Sequence, residues 1–370
     1  MSSLVCMSKM NFHKCVLPLL VLLLSACSTA APKVSERFFF PRPPNEPKLE
    51  YIQSYLSNND IKPDTTSLMT TFVLGEEYPH RLFSSPVSVA STGKGRVFVT
   101  DVGLRKVLVL DLINFEQREL TNKSSENPLE KVFRMPYSVV VDDNERIYVS
   151  DILTQKVSVF DAQERFLFSL SDSGIARPVA VAVDELNQRI YVLDTSKHRL
   201  AIFDMRGVFL NYLGSPGFEP GQFNYPTDVD VDDQGHVYVL DTLNARVQVF
   251  DENGAFLRMF GERGTAQGSF MMAKGLAVRD RGEVYVTDAL ASKLVIFSRE
   301  GEFLLRIGNK SVVEENIFPG GFYMPRGVDV DGAGGVWVVD SLNRMVHQFQ
   351  FLTTQYLSDH PLDQKSPLAQ

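Results

Sequence analysis

The chain has 370 residues and carries 45 Asp and Glu against 37 Lys and Arg, a formal net charge of −8. That balance argues against a polyanion as partner, because nucleic-acid binding needs clustered cations, so no nucleic-acid partner is expected. The three cysteines all fall within the first 27 residues and exclude a disulfide framework in the remainder.

Residues 1–26 contain no acid and two lysines, Lys9 and Lys14, and lead into the apolar run Val16 to Leu24. Such a run is too short to span a bilayer and fits the hydrophobic stretch of a secretory signal. The next residues, Leu24-Ser25-Ala26-Cys27, resemble the lipobox of bacterial lipoproteins. The resemblance implies a signal peptide over 1–26, lipidation at Cys27, and a membrane contact made through that anchor. Ser28 in place of Asp further resembles the pattern that directs lipoproteins to the outer membrane. Loss of the two signal lysines takes the charge from −8 to −10.

Residues 27–71 read as the lipidated N-terminus, a Pro-rich spacer and a blade-closing strand ahead of the domain that follows. Ser28 to about Lys48 is Pro-rich around Phe38-Phe39-Phe40-Pro41 and is expected to be a semi-rigid spacer, with docking of the three Phe as the competing reading. Residues 48–57, KLEYIQSYLS, alternate as a strand and are expected to complete the last repeat described below. Thr353 to Ser358, at the start of a C-terminal tail over 353–370, is the competitor for that place.

Six related runs occupy 72–352: VFVTD ending at Asp101, IYVSD at Asp151, IYVLD at Asp194, VYVLD at Asp241, VYVTD at Asp288 and VWVVD at Asp340. The closing Asp residues are 50, 43, 47, 47 and 52 apart, a period typical of solenoids and propellers. A Pro precedes each Asp by 15 or 16 residues (Pro86, Pro136, Pro178, Pro226, Pro325), with Ala273 in the fifth copy. Each unit breaks into four period-two runs, strands a to d, separated by Gly, Asp and Asn turn signals. No stretch repeats at helical spacing. Four short antiparallel strands repeated six times predict an all-β, six-bladed β-propeller, in which radial repetition hides the sheet edges.

The fourth copy, P-x-D-V-x-V-D-x-x-G-x-V-Y-V-x-D-x-x-N-x-R-V-Q-V-F-D from Pro226 to Asp251, resembles the NHL repeat, whose members form six-bladed propellers. The YWTD propellers share the shape of the motif, but Trp337 is the only Trp in the chain.

The recurring Asp is followed five residues later by a cation in five copies (Lys106, Lys156, Arg199, Arg246, Lys293), so Asp and cation are expected to flank the b–c hairpin turn, where the Asp accepts local hydrogen bonds from the backbone and the exposed ion pair adds little. Two and four residues past the Pro position the residues are mostly small, except Asp228, Asp230 and Asp329. These carboxylates are the candidate metal ligands, with Ca²⁺ the cation that oxygen donors suit, although no cofactor is required by the pattern; the competing reading is that they bind channel water and backbone amides. The b–c turns and d–a connections share one face. Tyr137, Arg177, Tyr225, Lys274, Tyr323 and Arg326 gather there and form the candidate ligand-binding set. The five histidines after the signal, His80, His198, His236, His347 and His360, occupy unrelated repeat positions, which disfavours a zinc trio. Enzyme signatures are thin. The expected function is an envelope-anchored scaffold that presents the loop face to a protein partner or small ligand. The alternative, implied by the six-bladed resemblance, is a metal-dependent lyase or lactonase.

Overall fold

Each VYVxD run forms strand b of a four-stranded antiparallel sheet, and the Pro position opens strand a beside it, so that Pro86 pairs with Asp101 and Pro136 with Asp151. The structure, a computed structural model, describes residues 37–42, 45–62, 80–122, 133–170, 174–278, 282–313 and 317–361. The expected signal peptide, the lipidation site Cys27 and residues 362–370 lie outside the described residues. Five sheets run in chain order: Pro86–Glu119, Pro136–Leu170, Pro178–Leu213, Asp228–Phe260 and Ala273–Ile307. The innermost strands of successive sheets touch, and Pro325–Val330 of the sixth touches Pro86–Ser91 of the first, closing a six-bladed β-propeller.

Alternation explains the packing. In strand b both faces are buried, so Val97, Phe98 and Val99, or Val237, Tyr238 and Val239, are fully or almost fully removed from water. One face meets the preceding blade and the other the next. The large residue in the second place of each run after the first, where it is Phe98, also carries a polar tip. The Tyr148 and Tyr238 hydroxyls donate to Asp142 and Asp232, and the Trp337 indole N–H donates to Asp331 at 3.0 Å. A buried polar tip needs such a partner, and Trp337 finds it in the carboxylate equivalent to those that serve Tyr148 and Tyr238.

Blade six is completed from the other end of the chain. Leu49–Tyr55 pairs antiparallel with Met345–Phe351, from Leu49 opposite Phe351 to Tyr55 opposite Val346. Leu49 and Tyr55 are buried, Tyr55 stacks on Trp337 with centroids 5.9 Å apart, and Ser54 Oγ bonds His347 Nδ1 at 2.7 Å. The C-terminal competitor forms a helix instead, Thr354–Asp359, capped by Thr353 Oγ1, which accepts from the Tyr356 N–H. One expectation is corrected. Phe38–Phe40 is not spacer but a fifth strand of blade six, paired with Leu49–Tyr51, with Phe40 edge-on to Phe349. Three aromatics buy more by covering the sheet edge than by staying in water.

Candidate functional site

The loop face is held by the recurring Asp, through the expected backbone hydrogen bonds of the turn and without the expected exposure. Each is buried, between 0 and 3 % exposed, rather than sitting on the surface with its cation. Asp151 accepts from the backbone N–H groups of Arg134 and Met135 in the incoming d–a connection and from those of Leu153 and Thr154 in the b–c turn. Asp101 does the same with Ser84, Ser85 and Leu104, and Asp288 with Met271, Met272 and Ala291. Removing such a carboxylate would strand several buried donors, at about 1–3 kcal/mol each. Among the described residues the expected ion pair to the cation five places on occurs at Asp241–Arg246 and, at 4.0 Å, Asp288–Lys293. Elsewhere the cation turns away: Lys106 meets Glu119, and Arg199 lies over the Tyr212 ring.

A second anchor escaped the sequence reading. Three residues before each Pro position stands Phe83, Phe133, Ile175, Phe223, Phe270 or Phe322, and all six are buried. Each pins its d–a connection to the blade below. Neighbouring blades are then clipped by hydroxyls beside the closing Asp: Thr100 to Tyr137 O, Thr195 to Pro226 O, Thr242 to Ala273 O, Thr287 to Arg326 O and, across the ring closure, Ser341 to Pro86 O. The loop face is therefore a fixed surface.

At its centre opens the channel. It is lined near the mouth by Val87, Tyr137, Val179, Thr227, Lys274 and Arg326, each directly after the Pro position of its blade. Deeper come Ser88, Asp228, Asp230, Gly327 and Asp329. The channel offers about 80 Å³ to water-sized molecules, room for a few waters and for nothing the size of a sugar.

The three channel carboxylates are taken up by the frame. Asp228 Oδ2 accepts from Leu276 N at 2.8 Å and Asp230 Oδ2 from Val278 N at 2.7 Å, joining blades four and five. Asp329 Oδ2 accepts from Ser91 N at 2.7 Å, joining blades six and one. Among the described residues no group of three or more His, Cys, Asp or Glu is arranged to hold a metal ion. The structure therefore does not bring the proposed Ca²⁺ ligands together as one set.

Water touches these carboxyls along the channel, yet protein surrounds them. Burial pushes Asp228 and Asp329 up to about 8, against the opposing pull of their backbone donors, with Asp230 adding repulsion to both. The folded state holds these protons, whereas the unfolded chain releases them near its ordinary carboxylate range. Their contribution to stability is therefore full only below the ordinary carboxylate range of about 4, falls from there by at most about 1.4 kcal/mol per pH unit for each group as pH rises, and is gone above about 8. Thermal melts should show a midpoint that falls between pH 5 and pH 8.5. Asp329→Asn, which keeps an oxygen for Ser91, should flatten that fall and melt above wild type at pH 8.5; parallel pH curves would refute the assignment.

The six expected ligand-binding residues separate into groups. Tyr137, Lys274 and Arg326 line the channel mouth. Arg177, exposed, sits just before Pro178 and is close enough to Lys274 to depress its ionisation. Tyr225 stands out on the face with φ +49°, its ring edge-on to His198 at 4.8 Å. A left-handed Tyr before Pro is a strained pose that holds the ring toward solvent, where it is 53 % exposed. Tyr323 is covered by Lys310, whose ammonium lies 5.0 Å from the ring centre.

What the sequence reading missed is a ring of leucines. Leu153, Leu243, Leu290 and Leu342 stand two residues past the closing Asp and Leu104 three past it, all at the tips of b–c turns, and their exposure runs from 40 % at Leu104 to 59 % at Leu153. Phe218, Met271, Val312 and Phe318 add exposed apolar groups from the d–a connections of the same face. The signal was present in the turns, where a polar residue is the usual choice.

Comparison with known proteins agrees with this architecture. An NHL repeat model matches residues 223–250, and a model described as a six-bladed beta-propeller matches 180–236. No curated protein matches. Among solved structures, a protein of unknown function from Bacteroides thetaiotaomicron is similar at 18 % identity and TM-score 0.58, over 73 % of this chain and 70 % of that one. A gluconolactonase from Xanthomonas campestris is similar at 11 % identity and TM-score 0.55, over 82 % and 98 %. Virginiamycin B lyase from Staphylococcus aureus is similar at 12 % identity and TM-score 0.52, over 72 % and 95 %. At these identities the likeness is one of fold.

Proposed function

We propose that this propeller is a binding module of the cell envelope, tethered through a lipidated Cys27 once residues 1–26 are removed, whose loop face engages a protein partner at the outer membrane. The observation that carries this reading is the leucine ring on the b–c turns, five exposed apolar side chains repeated at nearly equivalent places on one face where turns usually carry polar residues. Tyr225, held outward by its backbone, and the cations of the mouth add residue types enriched in interfaces. Leu290→Asp combined with Leu342→Asp changes neither the Asp staples nor the loop anchors. In crosslinked envelopes the double variant should lose the partner species that wild type captures, while its melting midpoint stays within about 2 °C. Identical crosslinked species from both proteins would overturn the reading.

The alternative, a metal-dependent lyase or lactonase working through Asp228, Asp230 and Asp329, takes its support from two enzymes among the structural neighbours, a gluconolactonase and a virginiamycin B lyase. It has less behind it, since those carboxylates already accept backbone donors from the adjoining blades and the channel is too narrow for such substrates.

A further inference from the structure

Lys274 and Arg326 hold equivalent places on adjacent blades, the residue directly after the Pro position, and both line the channel mouth. With Arg177 they make a group of three cations. Among the described residues none of the three side chains forms a hydrogen bond or an ion pair. That is unusual in this molecule. Partly buried cations elsewhere are matched, Arg96 with Glu145, Arg118 with Glu164, Arg146 with Asp142 and Arg246 with Asp241. A chain with 45 acidic residues had carboxylates to spare for the mouth as well. Lys274 is half-buried, and its ionisation is lowered first by burial and then by Arg326 and Arg177. Unmatched like charges held together at a partly desolvated site cost free energy that an incoming anion would release.

We propose that the channel mouth is a carboxylate site, in which Lys274 and Arg326 receive the anionic group of a ligand whose apolar part rests toward Val87 and Val179. The proposal rests on the loop face being the binding face and names what that face recognises at its centre. The mouth supplies the other contacts such a group needs. The Tyr137 hydroxyl lines it without a partner among the described residues and can donate to an oxyanion. Val179 stands on blade three, across the ring from Arg326 on blade six, and Val87 on blade one, beside Arg326's strand. The ligand stays at the mouth, because the channel beneath admits only waters. A monoanion is the better match, because a second charge, as on phosphate, would face the Asp228, Asp230 and Asp329 carboxyl groups that line the channel beneath. The carboxylate can come from a free organic acid or from the C-terminus of a partner chain, and the two share this chemistry.

Calorimetry on the purified protein at pH 7 distinguishes the sources, using hexanoate, a short peptide ending in Leu with a free C-terminus, the same peptide as its C-terminal amide, and inorganic phosphate. Binding of hexanoate or the free-terminus peptide is expected, the tighter of the two naming the source, with no binding of the amide. Lys274→Met and Arg326→Gln should each weaken it at least tenfold while leaving the melting midpoint in place; if one variant unfolds, the other decides. Absence of binding by both carboxylates, equal binding of acid and amide, tighter binding of phosphate, or folded variants that bind as wild type would each overturn the proposal. Carboxylate binding without partner capture would count against the scaffold reading alone, and capture without carboxylate binding against this one alone.

Discussion

Deleting residues 48–57 should lower the melting midpoint by on the order of ten degrees or more, the largest loss expected from any change outside the six repeats. The segment brings Leu49 and Tyr55 out of water, and burying side chains of that size stabilises by about 1.5–3 kcal/mol each. It also supplies the backbone partners of Met345–Phe351 from Val346 to Phe351. Without it, His347 loses the Ser54 hydroxyl and keeps only a long contact to Asp340 at 3.4 Å, in a place that is fully buried. Phe38–Phe40 would lose the strand it pairs with, and Phe349 would lose Phe40 and Tyr51 from its surroundings. The ring would then be held at blade six by its inner strands alone, with an exposed apolar edge that invites association. Differential scanning calorimetry, with light scattering to follow association, checks this. A midpoint within about 2 °C of wild type would show that blade six closes by other means.

The closing strand also shows how far the sequence carries. Six runs ending in Asp, each with its Pro fifteen or sixteen residues before, report strand order, blade number and which loops share a face, since all of these follow from period-two alternation repeated in register. Half of the role of the Asp was legible: a turn-flanking Asp is expected to accept from the local backbone, and it does so in the b–c turn. Its burial and its second set of partners, the backbone N–H groups of the preceding connection, are not displayed by sequence pattern. Phe38–Phe40 was misread for a related reason. Three aromatics ahead of Pro41 look like linker until the sheet edge that receives them is known. Of the candidate site, counting from Pro puts Tyr137, Lys274 and Arg326 on the loop face, and the structure finds them at the channel mouth; backbone amides as partners of Asp228, Asp230 and Asp329 were one of two readings, but which blade supplies those amides, and that the cations lack counter-ions, could not be read. Those facts depend on contacts between blades far apart in the chain. The leucine ring and the Phe anchors three residues before the Pro position were visible in the alignment and are explained only by the fold.

The contact between inner strands predicts the other large effect, at Gly275. A Cβ placed there would lie 2.1 Å from the carbonyl oxygen of Arg326 and 2.8 Å from Thr287 Oγ1. The first neighbour is backbone and cannot swing aside. At the equivalent position of blade six, a Cβ on Gly327 would meet Ser88 Cα and Val87 O, both at 2.7 Å. Blades five, six and one thus approach more closely than four and five, where Asp228 occupies the same place and reaches across to Leu276 N. The pattern of small and acidic residues along the inner strands is a record of blade spacing: glycine where carbonyls crowd the side-chain position, a carboxylate where a gap must be bridged. Gly275→Val must therefore push blades five and six apart. That movement would break the Thr287 hydroxyl bond to Arg326 O and disturb the mouth where Arg326 stands. Overpacking of this kind typically costs about 1–3 kcal/mol, and a clash with backbone belongs at or beyond the upper end. Gly332→Ala is the matched control, since a Cβ there meets nothing within 4 Å, and it should leave stability within about 0.5 kcal/mol. Urea unfolding of the two variants beside wild type makes the comparison. A Gly275→Val midpoint equal to that of the control would mean that the inner strands are not in the close contact that fixes the ring at six blades.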